Sequence, residues 1–151
     1  MNEVLPHIQS ADVQFLIFGY ISTLIEKVTD PRIKVMGYVE HAFEAYNQID
    51  IGINPVRWGS GIKIKTLELL GHGIPTVVTS EGGRGLDDIN GSVFLCADDP
   101  LTFANHIDTL INDYELRLSL SEKGYEYIRL HYPEENCYQI LIDILRNKDS
   151  I

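Results

Sequence analysis

Gly59, Ser60, Gly61, Lys63, Lys65 and Glu68 stand within ten positions of one another. Glycines ahead of a helix let backbone N–H groups approach a ligand, and the helix start adds the positive end of its dipole. Lysines in a first helical turn are unfavourable beside that positive end unless an anion offsets them. Glu68 follows Lys65 by three positions on one helix face. The two are either a surface ion pair, worth about 0.2–0.5 kcal/mol, or a lysine beside a carboxylate that accepts both hydroxyls of a ribose. Arg57, just before the glycines, is a candidate phosphate clamp or a surface arginine. This chemistry suits an anionic, hydroxyl-bearing ligand such as a nucleotide diphosphate sugar.

To hold these residues together the chain needs a strand, a glycine loop, a helix and a second strand. Ile51 and Ile53 form an apolar run that stops at Pro55; a helix follows from about Ile62 to Leu70. Gly71 and Gly73 end it, and Pro75 opens the next strand. Strands are predicted at 13–18, 33–38, 50–54, 75–79 and 92–96. Helices are predicted at 22–28, with Ser22 as N-cap, at 40–48, 101–111, 114–130 and 134–147, and the end of one at 3–9. Asp99-Pro100 is a helix start, an acceptor cap followed by proline at the first helical position. Alternating strands and helices predict an α/β, Rossmann-like three-layer α/β/α fold with a mainly parallel sheet of about five strands and two or three C-terminal helices. Ligands bind such sheets at the carboxyl ends of the strands, and the loop 55–61 belongs to that set.

The 151 residues predict one domain, 1–151, large enough for a normal core. A net charge of −10 leaves no basic face for a phosphate backbone and argues against nucleic acid. No apolar run is long enough to span a membrane, and the start lacks the pattern of a signal peptide, so a cytoplasmic protein is expected. Cys96 and Cys137 have no metal-like spacing and read as reduced thiols; His41, His72 and His106 show no ligand spacing either. No metal site and no cofactor are expected. Tyr20 and Tyr38, after strand ends, and Arg84, in the loop SEGGRGLDDIN, are weaker candidates for stacking on a base and for a phosphate contact.

The run from Pro55 to Thr79, P-x-R-x-G-x-G-I-K-I-K-x-L-E-L-x-x-x-G-x-P-x-V-x-T, resembles the donor-binding half of GT-B glycosyltransferases of the retaining family 4 or group 1 type. The resemblance extends to Phe18-Gly19, to Val35, Gly37 and Val39, to Asp50-Ile51 and to the loop from Glu81 to Leu86, and so covers most of the chain. It implies a metal-independent, retaining hexosyl transfer from a nucleotide diphosphate sugar, the class that builds polysaccharides. Glu68 would bind the ribose, the segment from Gly59 to Lys65 the diphosphate and sugar, and Gly37, Tyr38 and Val39 would lie near the base. No catalytic residue is assigned. Ser60 stands where the family usually has a second glutamate, against the donor sugar.

The resemblance also implies what these residues lack: the first strand of the donor half with its glycine loop, and an N-terminal acceptor domain. The chain alone is then expected to be inactive. With the middle strand absent, the five remaining strands are expected either to close into the order 2-1-3-4-5, a flavodoxin-like sheet, or to leave a gap across which a homodimer forms. The alternative function is a flavodoxin-like, non-catalytic binding or interaction module. Against a receiver-like form of it, Phe18-Gly19-Tyr20 carries no acidic cluster, and against a flavodoxin-like form, Ile21-Ser22-Thr23 is at best a faint echo of a phosphate loop.

Overall fold

A computed structural model describes residues 3–25, 28–86 and 91–133. The chain runs through a 3-10 turn (Leu5–His7), β1 (Phe15–Phe18), a second 3-10 turn (Tyr20–Leu24), β2 (Ile33–Gly37), α1 (Ala42–Tyr46) and β3 (Gly52–Asn54). It continues through α2 (Ile64–Gly71), β4 (Thr76–Val78), β5 (Leu95–Cys96), α3 (Pro100–Asn112) and α4 (Tyr114–His131). The architecture is the expected α/β one, and every strand pairing is parallel. Strands alternate sides with a period of two, and β4 shows why the fold has three layers. Val77 packs with Phe103, Ala104 and Ile107 of α3 and with Leu5 of the first turn. Its neighbour Val78 packs on the other face with Leu70 of α2, Phe94 and Ile128 of α4.

Helices α3 and α4 start at side-chain caps. Asp99 accepts from the N–H groups of Leu101 and Thr102, at 3.0 Å each, with Pro100 at the first helical position. Asp113 caps α4 through Leu116 N–H at 2.9 Å. Arg117 donates to the carbonyls of Leu110 and Ile111 and so satisfies the end of α3. One expected helix is corrected. In the described part of 22–28 the structure has instead the short turn Tyr20–Leu24, and Ser22 is no cap, because its hydroxyl donates to Gly19 carbonyl. Such local side-chain bonding competes with helix formation. The helix predicted at 134–147, and Cys137 within it, lie outside the described residues.

The sheet does not close. The strands form two sets, β1-β2 and β3-β4-β5, and β1 and β3 are not hydrogen-bonded to each other. A cavity of about 800 Å³ lies between them, lined by Phe15, Ile17, Ile51, Ile53, Leu69 and Ile107 among others. Of the two expected arrangements, the closed sheet of order 2-1-3-4-5 is thereby overturned, and the gap is present. The first set is tied to the second where it stands. Arg32 donates to Leu5 carbonyl at 2.9 Å, Asp108 of α3 accepts from Gln9 and Ser10, and Tyr46 of α1 bonds Glu68 of α2.

Candidate functional site

The carboxyl ends of β1, β2 and β3 open towards one rim of the cavity, where Gly19, Val39, Tyr46, Asn54 and Lys65 meet. The loops that follow β3 and β4 are held by a buried polar network. Asn54 at the end of β3 donates to Thr66 Oγ1 at 2.9 Å, and Thr66 donates to Gly82 carbonyl at 2.6 Å. Thr79 at the end of β4 donates to Val56 carbonyl and accepts from Gly82 N–H. Gly82 must be glycine here, since a Cβ would come within 2.5 Å of Asn54 carbonyl oxygen. Buried polar groups that are all satisfied fix geometry, and here they lock both loops and α2 into one frame.

Lys63 stands at the N-cap of α2, a position with no side-chain cap and no acidic residue in the turn that follows. Its ammonium is nearly buried and meets Glu81 Oε1 at 2.6 Å. Among the described residues that oxygen has no hydrogen bond of good geometry, and the Lys63 ammonium is its ion-pair partner. Arg84 pairs with the other oxygen of Glu81 at 2.5 Å and donates to Gly59 carbonyl at 3.4 Å. Gly59 admits this arrangement because a Cβ there would lie 2.9 Å from Lys63 Nζ. The lysine at the helix start thus has an internal counter-anion, contributed by the loop after β4. Lys65 and Arg84 are the exposed cations of this region, while Arg57 pairs with Glu3 at 3.0 Å on the surface. Ser60 and Gly61 are exposed at the loop tip, beside Trp58, which is 87% exposed.

Glu68 lies one turn into α2 with its side chain 31% exposed. Its Oε2 accepts from Lys65 Nζ at 2.7 Å and from the Tyr46 hydroxyl at 2.5 Å. Burial pushes the carboxyl up, but those two hydrogen bonds and the charges of Lys65 and His72 outweigh it and hold Glu68 below the ordinary carboxylate value. The predicted pairing of Lys65 with Glu68 is therefore present, and a phenol joins it. Tyr46 is shifted upward, by burial first and then by its bond to the Glu68 carboxylate.

On the β2 side, Gly19 N–H donates to Gly37 carbonyl at 2.8 Å. Tyr38 is exposed and Val39 lines the cavity, so of these three only Val39 is brought to the rim that Lys65 shares. Sequence reasoning missed Glu81 as the partner of Lys63, Tyr46 on Glu68, and the bonds joining Asn54, Thr66 and Thr79. An isolated asparagine at a strand end before Pro55 was the one available signal. Among the described residues no three His, Cys, Asp or Glu side chains are grouped to hold a metal ion.

Residues 1–113 match the family described as "Glycosyl transferases group 1". A Klebsiella pneumoniae protein described as "Uncharacterized 44.6 kDa protein in cps region" is 26% identical over 129 residues. The match covers 85% of this chain and 32% of that protein, so the chain spans about a third of the length of this curated relative. A solved structure of the C-terminal domain of a glycosyl transferase group 1 family protein (LpcC) from Francisella tularensis matches with a TM-score of 0.56 at 19% identity. It covers 68% of this chain and 55% of that one, a likeness of fold. No described helix is long and apolar enough to cross a membrane.

Proposed function

Since the chain belongs to the group 1 glycosyl transferases, we propose that it forms the half of a sugar-transfer site that binds a nucleotide diphosphate sugar. The observation that carries this reading is Glu68, ionised and half-buried on α2, with the capless start of the same helix one turn away. A carboxylate accepts the two hydroxyls of a ribose, and a free helix start with exposed cations suits the diphosphate. In this reading Gly59, Ser60 and Gly61 let the loop close on the phosphates. Lys65 and Arg84 bring charge, and Lys63 with Glu81 sets the loop's position. Arg57 reaches the ligand only by leaving Glu3. Gly37, Tyr38 and Val39 border the base.

Transfer on this side of the cleft needs positioning and stabilisation of the departing diphosphate, whose negative charge grows as the sugar leaves. Lys65, Arg84 and the α2 start supply that stabilisation, with no general base and no metal ion or other cofactor. The sugar is a hexose transferred with retention to a saccharide or similar acceptor, in polysaccharide synthesis in the cytoplasm. The acceptor is held by a separate domain, without which these residues bind donor but do not turn it over.

Calorimetric titration with UDP, GDP and ADP tests this. Saturable binding of one of them is expected, weakened about 10- to 100-fold by Glu68→Ala through the loss of hydrogen bonds to a charged acceptor. Absence of binding by all three, or an unaltered affinity in the variant, would sink the reading.

A further inference from the structure

The grip on Glu68 comes partly from the other half of the molecule. Tyr46 ends α1, the helix after β2, whereas Glu68 belongs to α2, between β3 and β4. The ring of Tyr46 is half-buried, lines the cavity between β1 and β3, and rests on His72 with centroids 4.7 Å apart and planes tilted by 52°. His72 in turn meets Glu68 carbonyl through Nδ1 at 2.7 Å. The phenol is therefore held on three sides: by its own helix, by the imidazole and by the carboxylate.

We propose that Tyr46 is the positioning residue of the nucleotide site. Its hydroxyl, with the Lys65 ammonium, occupies Oε2 of Glu68 and leaves Oε1 to accept from both hydroxyls of a ribose. This rests on the reading of Glu68 as the ribose acceptor. A carboxylate offers about four lone-pair sites, two on each oxygen. Tyr46 and Lys65 take the two on Oε2. The two on Oε1 match the 2′ and 3′ hydroxyls, so the site should prefer ribonucleotides to their deoxy forms. The groups that act on Glu68 among the described residues are Tyr46 from α1, Lys65 on α2 and His72 just beyond it. Because burial and Glu68 push the Tyr46 hydroxyl up, it stays a donor throughout the working range.

The test is Tyr46→Phe, which keeps the ring and removes the bond. UDP and 2′-deoxyuridine diphosphate are titrated into wild type and variant from about pH 4 to about pH 8, across the range where carboxylates and histidine ionise. Loss of the hydroxyl raises the value at which Glu68 takes up a proton. The acid limb of UDP binding should therefore move to higher pH, with affinity at neutral pH about tenfold lower. The preference for UDP over its deoxy analogue should shrink severalfold. An equal loss at every pH and for both nucleotides would overturn the proposal, since a merely structural role predicts that. A ¹³C-carboxyl titration of Glu68 without nucleotide should show the same upward movement, and an unmoved titration would also overturn it. If wild type binds none of UDP, GDP and ADP while that titration moves, the donor-site reading fails but the hold of Tyr46 on Glu68 stands.

Discussion

The two sets of strands differ in what covers them. In β3-β4-β5 the central strand is buried along its whole length, with α3 on one face and α2 with α4 on the other. In β1-β2, three consecutive residues of β2 are exposed, among them Val35 and Met36. Tyr20, Ile21 and Leu24 of the neighbouring turn are exposed as well. Burial of apolar area is the main favourable term in folding, so β3-β4-β5 is the scaffold, and β1-β2 is held to it by a few polar ties and by Phe15 and Ile33, which join the apolar cluster around Val77. The candidate site lies where they meet: Glu68, Lys63 and the loops stand on the scaffold, and Tyr46 and Val39 come from the other side.

That contrast can be broken at three levels. The largest effect is expected at Glu81, where alanine would strand the nearly buried Lys63 ammonium. Removing one partner of a buried pair costs about 3–5 kcal/mol, read as a lower urea midpoint. The double variant Lys63→Met/Glu81→Leu should recover most of it. Next comes the core itself. Leu70→Ala, at a fully buried position, should cost about 2–5 kcal/mol. Val35→Ala, on the exposed strand, should fall within about 0.5 kcal/mol. Equal losses in these two would mean that the strand sets are equally well supported.

The smallest effect is expected in acid. Asp30 is held at about 2, from a usual 3.8, by hydrogen bonds from Arg32, which also binds Leu5 carbonyl. Its folded value is depressed, so its contribution is present above the unfolded value and is lost as pH falls through the folded one. The window is therefore from about 3.8 down to about 2. Hydrogen exchange in that window should quicken in β1 and β2 before β4. Loss of protection in the reverse order would contradict the comparison.

Much of the scaffold was legible because it obeys local rules. Asp99-Pro100 announces α3, and the apolar run at Pro75 announces a buried strand. The pairing of Lys65 with Glu68 follows from helical spacing. Whether β1 would pair with β3 or stand apart from it was left open by the sequence, because strand pairing is decided by contacts across the whole chain, such as Arg32 with Leu5 and Asp108 with Ser10. Glu81 was hidden for a similar reason. It lies 18 positions after Lys63, and only the turn after β4 brings the two charges together. Ser22 misled because a serine before an apolar stretch serves as cap or as local competitor, and the sequence does not say which.

Trp58 is the only tryptophan in the chain and projects almost wholly into solvent from the loop beside Gly59. Its indole is surrounded by water in the folded protein, as it would be in the unfolded chain. Intrinsic fluorescence should therefore report poorly on denaturation, which is better followed by circular dichroism. The same exposure makes the loop self-reporting: a ligand seated against Gly59 and Arg84 would change the polarity and quenching around the indole. Trp58 is thus an optical probe to be read in nucleotide titrations and not in unfolding curves.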